Sequence, residues 1–154
     1  MSTSTVAPAR PATAAGAGID PRGPQFTAAL TAVVLVLALA LPTPVSVVLT
    51  ALQAVFFAIG ALRGVQHTPH AWLFRTFVRP RLAAPDDLED PRPPRFAQGV
   101  GLVFAAVALA AYALGLPTLA LVALGLALVA AVLNAVFRFC LGCELYLLIQ
   151  RITH

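Results

Sequence analysis

The sequence predicts an all-α membrane protein, with four transmembrane helices arranged as two parallel two-helix repeats. Three observations carry this reading. Apolar residues make up 60% of the 154 positions and charged residues only 10%, whereas ordinary soluble domains are about half apolar and about a quarter charged. A soluble core of this length cannot hide that much apolar surface, so much of it must face lipid. The apolar residues fall into four runs of near-spanning length. Finally, a seven-residue pattern, Asp-Pro-Arg-x-Pro-x-Phe, stands immediately before the first and third runs.

Residues 1–19 are mostly Ala, Thr, Pro, Ser and Gly with a single arginine, a composition that buries little and predicts a disordered tail. The membrane domain then covers residues 20–154. Its first apolar run, Phe26 to Leu41, is short, but Pro24 can serve as the first helical residue and extend it to about eighteen positions, roughly 27 Å. Ala38-Leu39-Ala40 also resembles a signal-peptidase site, although the repeat needs this run as a permanent helix. Pro42-Thr43-Pro44 breaks the chain, and Val45 to Leu62 forms the second span with Gln53 as its lone interior amide. Residues 63–95 make the one long polar segment. Within it, Trp72 to Arg79 places Leu73, Phe74, Phe77 and Val78 on one side and Arg75 with Arg79 on another, a short headgroup-layer helix that Pro80 ends. Asp86, Asp87, Glu89 and Asp90 read as a solvated loop. The third span runs from Phe96 to about Gly115, Leu116-Pro117 is the break, and the fourth span runs from Thr118 to Phe137 or beyond. Small residues four apart, Ala127, Ala131 and Ala135, and likewise Gly60 with Gly64, suit close helix packing.

The charges orient these spans. The chain has ten arginines and no lysine, and both hairpin tips are free of charge. By the positive-inside rule the N-terminal segment, the central loop and the C-terminal end are cytoplasmic, so both termini are expected on the cytoplasmic side of the membrane. No basic soluble face with interleaved aromatics is present, which excludes a nucleic-acid partner. Two cysteines are too few for a disulfide scaffold. Hydrolase, nucleotide and zinc-protease motifs are absent: there is no GxSxG, no P-loop and no HExxH. Gln53 and Asn134 offer little to line a transport path unless the protein forms a homo-oligomer.

Residues 20–26 and 90–96 share Asp, Pro, Arg, Pro and Phe, so the chain reads as two copies of one unit, about 20–82 and about 90–154. An even number of spans per unit makes the copies parallel, related by an axis along the membrane normal. In each lead-in, proline sets the turn, aspartate caps the helix start and arginine sits at the lipid headgroups. At the end of each unit, with a shift of one or two residues, His67-x-x-His70 stands where Cys140-x-x-Cys143 stands, at the cytoplasmic surface.

Three readings of that end stay open. Cys140 and Cys143 can form a redox or sulfur-relay dithiol, because cysteines two residues apart close a small disulfide and a nearby cation favours the thiolate. Arg138 supplies the cation, Glu144 opposes it, and His67 or His70 serves as proton carrier. Neither a soluble βαβ context nor a quinone-site signature accompanies the motif. This reading requires no cofactor. Alternatively, Cys140, Cys143, His67 and His70 form a zinc-binding Cys2His2 set, although Pro69 interrupts the histidine pair. Third, the cysteines are small buried residues of a non-enzymatic scaffold. A c-type haem is excluded because Glu144, not histidine, follows Cys143.

The two lead-ins, the second followed by Ala97-Gln98, and the ending Phe139-Cys140-x-Gly142-Cys143-Glu144-x-Tyr146 resemble the bacterial membrane family called domain of unknown function 4395. The resemblance covers residues 19–151. It implies a small multi-pass protein of a kind common in actinobacteria, some members being encoded near thioredoxin-like or sulfurtransferase proteins. Thiol or sulfur chemistry at Cys140 and Cys143 with such a partner is what the resemblance implies; no activity comes with the family. Reporter fusions test the topology: fusions at Thr43 and Leu116 should be active only outside the cell, and fusions at the C-terminus only inside.

Overall fold

A computed structural model describes residues 18–154, so most of the tail expected over 1–19 lies outside the described residues. The helices, in chain order, are α1 (Arg22–Ala40), α2 (Thr43–Arg63), α3 (Pro69–Leu73), α4 (Arg92–Ala113), α5 (Pro117–Phe137) and α6 (Leu141–Thr153). Four of them, α1, α2, α4 and α5, have 19, 21, 22 and 21 residues and are apolar enough to cross a membrane. At 1.5 Å per residue they measure about 28 to 33 Å, the thickness of a bilayer core. The chain is thus a multi-pass, all-α membrane protein. Among the described residues no strand forms; one isolated antiparallel bridge joins Ile19 to Glu89.

Each span starts earlier than the prolines predict. Pro24 is the third residue of α1, not its first, and Pro44, Pro93 and Pro94 also lie in first turns. The first-turn N–H groups have no helical acceptor, so a proline there costs no hydrogen bond and the helix can begin ahead of it. Pro80 likewise does not end the polar-loop helix. After α3 the chain runs through a π-turn over Phe74–Val78 into a 3-10 turn over Arg79–Arg81. Gly64 is not a packing residue: its φ of 106° ends α2 in a conformation that favours glycine.

The four spans close into a ring in which α1 and α4 each touch both α2 and α5. At the hairpin-tip half the ring is filled by small residues, with Leu35, Ala38, Ala108, Ala111, Ala120 and Leu124 forming its centre. Alanine at these positions lets the backbones approach closely, the main source of helix association where lipid is as apolar as leucine. Large apolar side chains such as Val48, Val103 and Val122 point outward. Gln53 is not isolated. It belongs to a buried row on α2 with Ser46 and Thr50, in which Ser46 Oγ shares a 2.8 Å hydrogen bond with Tyr112 Oη and Gln53 donates to Thr31 Oγ1 at 3.4 Å.

The two lead-ins make the same bonds. Asp20 Oδ1 accepts from the Arg22 backbone N–H at 3.0 Å and its carboxylate holds the Arg22 guanidinium at 2.8 Å. Asp90 accepts from the Arg92 N–H at 2.9 Å and holds its guanidinium at 2.7 Å. Three residues past each arginine, the side chain reaches across to close another helix. Gln25 donates to Ala135 O of α5 at 2.8 Å, and Arg95 to Ala61 O and Leu62 O of α2 at 2.7 and 2.8 Å.

The hydrogen bond from the Arg22 side chain holds the mostly buried Asp20 carboxyl below the usual carboxylate range. A lowered folded pKa stabilises above the unfolded value of about 4 and loses that stabilisation as pH falls through the folded value. Asp20→Asn should therefore cost about 1 kcal/mol at neutral pH and remove this part of the acid sensitivity, read by thermal unfolding in detergent at pH 7 and below pH 4.

Candidate functional site

The cysteines do not continue the fourth span on one helix face, as their position in the sequence implies. α5 stops at Phe137, and Arg138 adopts φ 55°, ψ 26°, the left-handed conformation. The N–H groups of Arg138 and Phe139 both turn back to Leu133 O. This turn starts a new helix, α6, with Cys140 as its N-cap and Cys143 as its third residue. Cys140 Sγ accepts a hydrogen bond from the Cys143 backbone N–H at 3.2 Å, and the two sulfurs are joined as a disulfide.

An N-cap is the place on a helix where negative charge is best stabilised, by the unpaired first N–H groups and the helix dipole. Arg138, two residues before Cys140, is exposed, and Glu144 lies in the first turn of α6.

Helix α6 lies along α4. Tyr146 packs on Phe96, the phenylalanine of the second lead-in, with ring centroids 5.6 Å apart. Gly142, between the cysteines, sits so close that an added Cβ would come within 2.6 Å of Ala97 Cβ and 2.7 Å of its Cα. Neither α6 nor this role of Gly142 was expected. The signal for the helix is present in Leu141, Leu145, Leu148, Ile149 and Ile152, spaced four, three, one and three apart, which is one face of a helix.

The histidines fall elsewhere. Thr68 caps α3, its Oγ1 accepting from the Ala71 N–H at 3.2 Å, and Phe74 packs on Phe26 of the first lead-in at 5.7 Å. Thr68 on α3 and Cys140 on α6 each accept from the N–H three residues on, and His67 lies one residue before its cap, within the expected shift of one or two. His70 is buried edge-on against Phe56, and burial lowers its pKa, which keeps the ring neutral. His67 is exposed. Among the described residues no three His, Cys, Asp or Glu side chains gather closely enough to hold a metal ion. The disulfide joins Cys140 to Cys143, Arg138 stands exposed in the turn before them, and neither His67 nor His70 gathers with the cysteines, so the four-ligand zinc set is not assembled among the described residues.

Where the tip half of the ring is filled, the half toward α6 is open. A cavity of about 780 Å³ lies between α1, α4, α5 and α6, and its lining includes both cysteines, Arg138, Gln98 and Asn134. Neither histidine borders it.

The chain belongs to the family described as domain of unknown function 4395, whose sequence profile matches residues 19–151. No curated protein and no solved structure matches it. The contact of Gly142 with Ala97 makes a direct prediction. Gly142→Val should push α6 from α4 at a cost of about 1–3 kcal/mol, measured as a lower unfolding temperature in detergent, whereas Gly125→Ala, where nothing lies within 4 Å, should leave it unchanged.

Proposed function

We propose that this member of a family without an assigned activity is a thiol–disulfide or sulfur-relay component of a bacterial inner membrane, with a soluble thioredoxin-like or sulfurtransferase partner. The observation that carries the proposal is the placement of Cys140 as the N-cap of α6, bonded to Cys143. That placement supplies the thiolate stabilisation and the reach that dithiol exchange needs. In exchange, a partner thiolate attacks one sulfur of the pair, the Cys140–Cys143 bond breaks and a mixed disulfide forms. The second partner thiol then attacks that bond, so two electrons and two protons pass to the pair and the partner leaves as a disulfide. Cys140 and Cys143 are the reacting pair, and Arg138 tunes them electrostatically.

A purely structural role for the disulfide is less well supported, because it lies within the first turn of one helix and ties no element to another. The orientation proposed is both termini in the cytoplasm, with the cysteines on the arginine-rich side. The proposal also includes the two-unit architecture. Its supports are the matching bonds of Asp20 and Asp90, the reciprocal reach of Gln25 and Arg95, the bridge between the equivalent residues Ile19 and Glu89, and the equivalent caps Thr68 and Cys140.

In acid-quenched cells, mass-tagging with a membrane-permeant maleimide before and after reduction should find the pair in both redox forms, while an impermeant reagent should leave it unlabelled. Cys140→Ser and Cys143→Ser should each abolish cycling while the protein still inserts into the membrane. Two single mutants with normal function, or a pair that never changes redox state, would end this reading.

A further inference from the structure

We infer that the cavity beside the cysteine pair binds the ring of a membrane quinone, which reoxidises the reduced pair. The inference rests on the dithiol reading above and names the electron acceptor of the same site. Four features of the cavity converge on this ligand.

Its wall contains the only two cysteines of the chain, so whatever enters comes beside a two-electron centre. Its size, about 780 Å³, is that of sites for small organic molecules, typically about 300 to 1,000 Å³. Arg138, Glu144 and Asp90 line its charged side, while part of its rim is apolar and open toward lipid. α6 rests on α4 and barely meets α5, and the lining residues Leu126, Val129 and Leu147 are exposed there, at 54%, 55% and 39%. A ligand arriving by that route is lipid-soluble.

The fourth feature is polar. Gln98 on α4 and Asn134 on α5 both line the cavity. The side-chain amide hydrogen bonds among the described residues are made by Gln25, Gln53 and Gln150; Gln98, whose Oε1 lies beside Gly60 of α2, and Asn134 make none and are half-buried. In a bilayer an amide without a partner is costly, and a quinone offers two carbonyl oxygens to donors on two helices. An acyl chain would match the apolar lining but would give the amides no partner and the thiols no oxidant.

The step balances. The two S–H bonds of Cys140 and Cys143 break and one S–S bond forms. The two electrons and two protons released convert the two carbonyls of the quinone into the two hydroxyls of a quinol. A partner dithiol then reduces the pair again, so that electrons pass from the partner to the membrane pool.

The test uses the full-length protein in lipid nanodiscs, reduced, freed of reductant and kept without oxygen. Decylubiquinone and 2,3-dimethyl-1,4-naphthoquinone are added separately; every ring position beside their carbonyls is substituted, so thiols cannot simply add to the ring. Quinol is read by absorbance and thiols by maleimide mass tag. Wild type should form one quinol per disulfide with at least one of the two, and Cys140→Ser none. Gln98→Leu and the cavity-filling Ala130→Phe should slow the quinone reaction about tenfold, while diamide, a water-soluble thiol oxidant, should oxidise both within about twofold of wild type. Oxidation of wild type by diamide but by neither quinone, or a wild-type quinone rate in both variants, would overturn the inference and leave the dithiol reading standing. If diamide itself forms no Cys140–Cys143 disulfide, the dithiol reading falls and the inference with it.

Discussion

Lipid offers no hydrogen bonds to the ends of a helix, and the rest of this structure depends on how those ends are satisfied. The two Asp-Pro-Arg lead-ins occupy the starts of α1 and α4 with Asp20 and Asp90. Gln25 and Arg95, one turn further on, occupy the last carbonyls of α5 and α2. These contacts lie at one level of the ring, the level at which the arginines cluster, and they hold the four spans together where the small-residue core does not reach. The centre of the ring is therefore packed at one end and open at the other.

That division explains why the chemistry sits where it does. A disulfide buried among Ala108, Ala120 and Leu124 would meet no partner from either water or lipid. At the α6 end, the cysteines sit where a backbone N–H can act on sulfur and where they line the open cavity. Thr68 caps α3 through its Oγ1 in the way that Cys140 caps α6 through its Sγ, so a cap of this kind does not need sulfur.

The spans were legible because an apolar run of about eighteen residues is longer than a soluble core can bury and matches the bilayer core. Their starts were not, because proline signals a break in most contexts and here stands in the first turn, where it breaks nothing. The turn at Arg138 gave no warning, since left-handed residues at helix ends are usually glycine or asparagine. With that turn hidden, the sequence left the end of the fourth span open at Phe137 or beyond and showed no separate α6. The caps formed by Thr68 and Cys140 were hidden as well, because a hydroxyl or thiol at a helix start looks in the sequence like any other loop residue. The cysteine pair itself was plain in the sequence; the cavity beside it was not, because Gln98 and Asn134 come from different helices and only packing brings them to one space.

The reciprocal reach of Gln25 and Arg95 also constrains the order in which the protein can be assembled. Arg95 is synthesised 33 and 34 residues after the two carbonyls it closes, and Gln25 waits 110 residues for Ala135. The end of α2 therefore stays open only until the second lead-in is made, while the end of α5 emerges to meet a donor that has been in place since the first helix began. Each hairpin carries the closure of the other, so neither has all its helix ends satisfied alone.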